Sequence, residues 1–416
     1  MSSDTEQFQQ EKRRSLFFLS ILCFALADVR DGLGPFLGVF LQSEGWTPDT
    51  IGFVASLGGF AGMAAAVPAG AFADATRHKR FFLAAASGSI VFLSLLVLCM
   101  PHPAATLFSQ VMQGIMAASI APLLSGITLG MAGFRNFPAR LGRNEAWNHA
   151  GNASTALAAG ILGYFWGITA AFAVMAVMGI LAIYCVLHIR PGHIDYHTAR
   201  GAAQPPAEAE FRSPLTKTAY KGNPALLCFG LILLFFHLGN AALLPLLGQA
   251  AVARFGVNPA SYTAGTILVA QCIMIPASLL TAKSAQRYGY GPALWCALAA
   301  LPLRGLIACF WASPWSILPV QILDGVGAGI LGVATPGIAA RLLQGTGHVN
   351  AGLGFAMTLQ GIGAALSASY GGLFAHHIGF QWAFLALGGA SVIALAVLTA
   401  GRRIPSLRAA LGTSQA

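Results

Sequence analysis

Three charged residues inside an apolar stretch near the N-terminus are the first candidates for chemistry. They are Asp28, Arg30 and Asp31, and they follow a long run of uncharged residues. On a helix Asp28 and Asp31 share a face because they are three residues apart, and Arg30 lies on the adjoining arc. Arg30 can then neutralise one carboxylate and leave a single exchangeable proton on the other. The spacing therefore predicts a proton-binding group that can also contact a substrate; the alternative is an ion-pair cluster that only fixes packing.

Asp324 is a further charged candidate, and it lies in a glycine-rich apolar segment. Gly325, Gly327 and Gly329 would let neighbouring helices approach closely. Asp324 is either a second carboxylate lining a cavity or the partner of Arg304, which we expect to be structural.

Uncharged polar residues in apolar segments complete the set of candidates. His237 and Asn240 repeat the three-residue spacing of the two aspartates, so they can line the same cavity. A lone buried histidine is otherwise only hydrogen-bonded within a core. Gln113, with Gln271 and Gln360, is a cavity candidate or else a hydrogen-bond partner between helices.

The composition indicates what kind of element must hold these residues. Of the 416 residues 56% are hydrophobic and 9% charged, against roughly 25% charged residues in soluble proteins. So few charges cannot cover soluble domains, and so many apolar residues exclude disorder. The seven cysteines are scattered singly, which favours neither disulfides nor a zinc site. The fold class that remains is an all-α membrane protein with many spans.

A helix of about 20 residues crosses the hydrocarbon layer. That length predicts twelve transmembrane helices: 15–41, 48–73, 81–100, 104–131, 146–166, 169–189, 224–250, 259–283, 292–312, 315–340, 350–375 and 381–400. A polar segment divides the chain into an N-terminal six-helix bundle over 1–189, a cytoplasmic linker over 190–221 and a C-terminal six-helix bundle over 222–416.

The basic residues predict the orientation of the spans. All but three of the 23 Lys and Arg residues fall in loops on one side, the exceptions being Arg30, Arg254 and Arg304. Because cytoplasmic loops are enriched in Lys and Arg, both termini are predicted to be cytoplasmic. The net charge of +10 is split among short clusters, so we expect no nucleic acid partner.

A cleavable signal peptide is the competing interpretation of the N-terminus. Lys12, Arg13 and Arg14 precede a short apolar run that ends in Ala25-Leu26-Ala27. Cleavage there would remove half of the first span and break the alternation of charged loops. We therefore expect the first span to be retained.

The two halves of the chain resemble each other at a shift of about 210 residues. Pro35 matches Pro245, and the segment from Gln110 to Gly114 matches the one from Gln321 to Gly325. A third match aligns Gly70–Asp74 with Ala282–Gln286. Duplicated halves are typical of secondary transporters.

The segment after the second predicted span carries a resemblance to a known family. Its residues Gly70, Asp74, Arg77, Lys79 and Arg80 follow the loop pattern of the major facilitator superfamily, except that Arg77 replaces a glycine. Gly70 would allow close helix approach, Asp74 would face the positive end of a neighbouring helix, and the basic residues would meet lipid phosphates. The resemblance implies a conformational latch; the alternative is an ordinary positively charged loop.

The resemblance also implies an architecture, which is two pseudo-symmetric six-helix bundles around a central cavity. Spans one, four, seven and ten would line this cavity. Other family patterns are only partly present: Gln110 stands where a buried arginine is common, and the fifth-span antiporter pattern keeps only Gly151 and Gly160. These departures leave the direction of transport open.

Arg143 and Glu145 precede the fifth predicted span among several polar residues. They are a possible cytoplasmic gate, in which the two side chains pair across the closed mouth of the cavity. The alternative is a loop that ends in a capped helix.

The function expected from these features is secondary active transport of a small organic solute, coupled to protons, with export favoured over uptake. Efflux of a divalent metal ion through Asp28, Asp31 and His237 is an alternative. A non-transporting membrane sensor or a membrane enzyme is a more distant one, since no nucleotide-binding or catalytic motif is present. We expect a monomer in the inner membrane, with a small-molecule substrate, protons and lipid as partners, and no cofactor or resident metal.

The first testable prediction concerns topology. Cysteines introduced as Glu44→Cys and Ser313→Cys should react with a membrane-impermeant reagent in intact cells, because both positions fall in predicted outer loops. Ala202→Cys should react only after permeabilisation. Labelling of Ala202→Cys in intact cells would contradict the predicted number of spans.

Overall fold

The computed structural model describes residues 2–30, 33, 36–37, 40–41, 44–46, 48–202, 223–256, 259–311 and 313–412. These residues are almost entirely helical, and within them no β-strand is formed. The helices are α1 (Ser2–Arg30), α2 (Pro48–Ala75), α3 (Lys79–Cys99), α4 (Pro103–Trp166), α5 (Ala170–His188), α6 (Tyr196–Ala199), α7 (Pro224–Asn240), α8 (Leu243–Phe255), α9 (Pro259–Arg287), α10 (Gly291–Phe310), α11 (Ile317–Leu342), α12 (Val349–Ile378), α13 (Phe380–Gly401) and α14 (Pro405–Leu411).

The lengths and composition of these helices confirm the predicted fold class of an all-α membrane protein. In the described part of the chain, nine helical stretches are long and apolar enough to cross a membrane. The total of twelve spans stays a prediction. One boundary differs clearly from the prediction, because α1 begins at Ser2 rather than at residue 15 and so carries a polar extension before its apolar part.

The fourth and fifth predicted spans are two helices that meet at Gly133 within the 64-residue helical segment α4, and no loop over 132–145 separates them. Gly133 divides the segment, with a non-helical φ of 69° and ψ of 162°. The residues after Gly133 are helical again, which places Arg143 and Glu145 on a helix instead of in a loop.

The chain divides into two compact units. Unit 1 comprises Met1–Thr216 together with Leu343–Gly354, and unit 2 comprises Lys217–Leu342 together with Phe355–Ala416. The first turns of α12 therefore group with unit 1, whereas the helix from Phe355 onward groups with unit 2.

Close helix packing in unit 1 depends on α1 and the second half of α4. Leu19, Leu22 and Leu26 of α1 are fully or almost fully buried in its apolar core. Gly151 permits the contact between the two helices, because a Cβ atom there would overlap the carbonyl oxygen of Phe24. This contact brings the polar residues of α4 next to those of α1.

Unit 2 packs through glycines of α11. A Cβ atom on Gly325 would lie 2.6 Å from the carbonyl oxygen of Ala270, and one on Gly329 would lie 2.8 Å from that of Met274. The sequence predicted close packing at these glycines, and α11 lies directly against α9 as a result. Asp324, the residue before Gly325, is buried at this crossing.

The start of the predicted linker is ordered against unit 1. A single 3-10 turn, Pro191–His193, precedes α6, and the Nδ1 atom of buried His193 lies 2.8 Å from the Ser15 hydroxyl. Asp195 caps α6: burial raises the pKa of its carboxyl, but hydrogen bonds from Thr198 and from the His197 N–H outweigh burial and hold that pKa below its usual value. The rest of the predicted linker, residues 203–222, lies outside the described residues.

The second testable prediction concerns Gly133. Its backbone conformation is accessible only to glycine, so Gly133→Ala should destabilise the protein by about 1–3 kcal/mol. The matched control is Gly163→Ala on the same helix, where no atom lies within 4 Å of the new methyl group and alanine is the better helix former. Thermal unfolding of both purified variants checks this: equal melting temperatures would contradict the prediction.

Candidate substrate, coupling and latch sites

The predicted proton-binding cluster begins in the last turn of α1. Asp28 and Arg30 are partly buried there, between the fully buried Ala27 and Val29. Asp31 lies outside the described residues, so the geometry of the aspartate pair stays a prediction. The described part nevertheless places an acid and a base at the end of a helix that is otherwise packed in the core of unit 1.

Glu145 of α4 belongs to the same region of unit 1. Arg30 is close enough to act on its carboxylate electrostatically, Asn148 donates a hydrogen bond to Glu145 at 3.4 Å, and the His149 Nε2 atom lies 3.9 Å from Glu145 Oε2. The sequence pattern left two roles open for Glu145, a gate with Arg143 or part of a loop that ends in a capped helix. Because the residues after Gly133 are helical, Glu145 lies on α4 near Arg30 of α1.

Arg143 does not share this environment. It is exposed, and residues two apart on a helix do not face each other. Between the described residues of this helix, Glu145 has its ion-pair contact with His149. The structure therefore does not bring Arg143 and Glu145 together, and the gate formed by this pair is not part of the function proposed below.

Asp324 of unit 2 forms an ion pair with Arg304. The Arg304 Nη1 atom lies 2.7 Å from Asp324 Oδ1, and the two residues are 1% and 8% exposed. Of the two roles open for Asp324 in the sequence, this geometry is the one in which it is the partner of Arg304. Their opposite charges compensate each other inside an apolar bundle.

Two amide side chains complete this ion-pair cluster. Arg304 donates to Asn240 Oδ1 at 2.5 Å and to Gln321 Oε1 at 3.1 Å, and the Gln321 amide in turn donates to the Thr266 carbonyl at 3.2 Å. Gln321 was not among the predicted site residues. The signal that could have identified it is the internal repeat, in which it matches Gln110.

His237 and Gln113 make hydrogen bonds within their own units. His237 Nδ1 lies 2.9 Å from the Leu233 carbonyl of the preceding helical turn, and its ring contacts Phe236 edge-on. Gln113 donates to the Ser109 hydroxyl at 2.8 Å and accepts from Ser94 of α3 at 3.3 Å. Gln113 thus connects two helices, and Asn240 faces Arg304 rather than His237.

The predicted latch is built around the carboxylate of Asp74, at the end of α2. It accepts hydrogen bonds from the backbone N–H groups of Asn350 at 3.2 Å and Ala351 at 2.9 Å, and from the Asn350 side chain at 2.7 Å. These N–H groups belong to the first turn of α12, where they have no partner within the helix. Asp74 is 3% exposed, so it places a buried negative charge at the positive helix end.

Two glycines allow α2 and α12 to come this close. A Cβ atom on Gly70 would overlap the Asn350 carbonyl, and one on Gly354 would overlap the Ala66 carbonyl. The start of α12 and the residues just before it also contact the end of α6. The Asn350 side chain donates to the Ala199 carbonyl at 3.0 Å, and Arg200 Nε donates to the Gly347 carbonyl at 3.3 Å.

The basic residues of the latch do not act together. Lys79 is 1% exposed and donates to the carbonyls of Ala73 and Thr76, so it binds the C-terminal end of α2 and does not reach lipid phosphates as expected. Arg80 donates to the carbonyls of Leu187 and Ile189 at the end of α5. Of these basic residues, Arg77 is the exposed one. A buried lysine needs partners for its charge, and the carbonyl groups at the end of α2 provide them for Lys79.

Within the described residues, no three His, Cys, Asp or Glu side chains lie close enough to hold a metal ion.

Comparison with known proteins identifies relatives of the whole chain. The sequence profile of the Major Facilitator Superfamily matches residues 16–303 and 238–415. Two uncharacterized MFS-type transporters of Mycobacterium tuberculosis, from strains CDC 1551 / Oshkosh and ATCC 25618 / H37Rv, are each 38% identical over 374 residues, which cover 89% of this chain and 88% of each relative.

Solved structures show the same fold at low sequence identity. The human organic anion transporter MFSD10 (TETRAN) has a TM-score of 0.67 at 16% identity and covers 93% of this chain and 99% of its own. The proton:xylose symporter XylE has a TM-score of 0.69 at 11% identity, with 94% and 96% coverage. The E. coli fucose:proton symporter FucP has a TM-score of 0.65 at 11% identity, with 93% and 98% coverage.

The third testable prediction concerns Asp74. Asp74→Asn replaces the buried carboxylate at the N-terminus of α12 by a neutral amide. The three N–H donors of Asn350 and Ala351 then face an amide group instead of a negative charge. That charge contributes up to ~2 kcal/mol in a partly buried geometry, enough to change the balance between two conformations several-fold. We expect reduced flux in proteoliposomes, for a solute that the wild-type protein moves, at near-normal expression.

The matched control is Glu11→Gln, which removes a carboxylate of unit 1 that pairs with exposed Arg190. An exposed pair contributes only about 0–1 kcal/mol, so flux should stay at the wild-type level. Unchanged flux in Asp74→Asn would contradict a latch role for its carboxylate.

Proposed function

Because the chain belongs to the Major Facilitator Superfamily and is therefore a secondary transporter, we propose that it moves a small organic solute by alternating access and couples this movement to protons. The solved neighbours carry different substrates by name, an organic anion, xylose and fucose. The fold alone therefore does not determine the substrate, which depends on the side chains of this chain.

The observation that supports proton coupling is the group of ionisable residues in unit 1. Asp28 and Arg30 of α1 and Glu145 of α4 lie in an apolar bundle, where charged residues are costly and rare. With Asp31 included, the carboxylates outnumber the single guanidinium, and the excess negative charge can be neutralised by a proton. A proton taken up there on one side of the membrane and released on the other would couple its gradient to the solute.

Asp31 is retained in this proposal beside Asp28, three residues away on the sequence. The Arg304–Asp324 pair of unit 2 is proposed as a packing cluster, because each charge already has its partner. His237, Asn240 and Gln113 remain candidates for substrate contacts, although each described hydrogen bond of theirs is made within the protein.

We propose export as the direction of transport. Gly151, one of the two residues kept from the antiporter pattern, supports this because it sets the close contact of α4 with α1. Proton-driven uptake is the second candidate, since two of the solved neighbours are named proton symporters. The proposed location is the inner membrane, as a monomer with both termini in the cytoplasm, in line with the distribution of basic residues.

The latch is proposed to stabilise one conformation of the transport cycle. The Asp74 carboxylate and the first turn of α12 form a contact with defined donors and a single acceptor group. Breaking that contact leaves three N–H donors without their acceptor. The conformations with and without the contact are therefore two discrete states of the transporter.

The fourth testable prediction concerns the two aspartates of α1. Asp28→Asn or Asp31→Asn should abolish accumulation driven by a pH gradient yet permit exchange of substrate, because exchange needs no net proton movement. The aspartate that is paired with Arg30 should behave differently: its loss strands a buried charge at ~3–5 kcal/mol and should lower expression.

Gradient-driven flux and counterflow in proteoliposomes, with a solute identified by screening everted vesicles, check this prediction. Full gradient-driven activity in both variants would show that these aspartates do not carry the coupled proton. Loss of exchange together with accumulation, at normal expression, would instead indicate a substrate-binding role.

A further inference from the structure

Two arginines are buried among the apolar helices, and their charges are compensated differently. Arg304 is 1% exposed and Arg140 is 7% exposed. The Arg304 guanidinium contacts the Asp324 carboxylate at 2.7 Å. Arg140, in the second half of α4, forms an ion pair with no carboxylate of the described residues.

The hydrogen-bond partners of Arg140 are both neutral. Its Nη2 atom donates to the Leu16 carbonyl at 2.8 Å and to the Ser20 hydroxyl at 2.9 Å. Its Nε–H group is buried and has no acceptor among the described groups. Of the two side chains that act on it electrostatically, Cys23 favours its positive charge and Arg143, which is also positive, opposes it.

A buried positive charge without a counter-ion is unfavourable. Taking a guanidinium out of water costs several kcal/mol even after relaxation, and only a nearby opposite charge offsets that cost. Arg140 falls between the fourth and fifth predicted spans, on the predicted cytoplasmic side, and a neutral residue there would avoid this cost. The missing counter-ion of Arg140 is therefore expected to arrive with a ligand.

The surroundings of Arg140 supply further groups for such a ligand. Asn144 lies one turn further along α4; it donates to the Thr128 hydroxyl at 2.9 Å, while its Oδ1 atom is buried without a donor. The Ser125 hydroxyl, one turn from Thr128, is also buried and without a partner. Residues three or four apart share a helix face, so two donors and one acceptor occupy neighbouring turns.

We propose that Arg140 binds the carboxylate of an organic acid, and that this acid is the solute moved by the transporter. The proposal rests on the transport function proposed above and adds the substrate class to it. A guanidinium matches a carboxylate in shape and charge, and the buried Nε–H group of Arg140 is a donor without an acceptor among the described groups. The Asn144 carbonyl oxygen then accepts from a hydroxyl or amino group elsewhere in the acid.

Thermal unfolding of the purified full-length protein tests this proposal with matched pairs of compounds. Acetate, benzoate, phenylacetate and succinate are each compared with the neutral amide of the same skeleton, and inorganic phosphate is added as a separate arm. At least one carboxylate should raise the melting temperature of the wild-type protein, and its amide should not. A rise with phosphate alone, with amides and acids equally, or with no compound would overturn the proposal.

Variants then connect the effect to Arg140. In Arg140→Gln the apparent Kd of the active acid should rise ~10-fold or more, the loss expected when one member of a buried charge pair is removed. Arg140→Lys keeps the charge and should retain weaker binding. The matched control is Arg135→Gln, which removes an exposed arginine of the same helix and should bind as the wild-type protein does. Undiminished binding in Arg140→Gln would overturn the proposal.

A purely structural role for Arg140 is tested without any ligand. Ligand-free Arg140→Gln should melt no lower than Arg135→Gln, because it removes an uncompensated charge, whereas Arg304→Gln should melt much lower because it strands Asp324. An Arg140→Gln variant as unstable as Arg304→Gln would overturn the proposal. If no acid binds but a pH gradient still drives flux of a neutral solute, the acid-binding proposal fails and the proposed transport function stands. The two failures are therefore distinguishable.

Discussion

The cost of an unpaired charge or backbone group in a low-dielectric environment is the constraint on which this structure depends. It requires helices, because only they satisfy their backbone groups within one segment of a membrane span. It also requires a partner for each charged side chain that the helices bury. Among the buried charged side chains of the described residues, those of Asp74, Lys79, Arg304 and Asp324 are met by another charge or by the end of a helix.

Helix ends serve as the partners of several charges that lie near the predicted cytoplasmic side. Lys79 binds carbonyls at the end of α2, Arg80 binds carbonyls at the end of α5, and Asp74 accepts from the first N–H groups of α12. The partial charges at helix termini make each of these contacts favourable. They also make the contacts reversible, since a helix end that moves away can be hydrated.

The buried charged groups differ in whether an opposite charge compensates them, and this difference corresponds to the roles proposed for them. Arg304 and Asp324 neutralise each other and bind two amides, which suits a fixed packing cluster. In unit 1 the balance is left open, by the additional carboxylate of Glu145 near Arg30 and by Arg140, whose described partners are neutral. This difference is why the proposed proton and solute sites are both in unit 1.

The sequence by itself determined the fold class, the family and the close approach at Gly70, because composition, span length and a local motif depend on residues near one another in the chain. It left two roles open for Asp324, and the crossing of α10 with α11 selects the pair with Arg304. The kink at Gly133 was missed, since a single glycine in a polar stretch resembles a loop, and Glu145 was therefore not expected on a helix beside Arg30. Which side chains meet depends on the rotation and crossing of helices that are distant in sequence, and only the tertiary structure decides those.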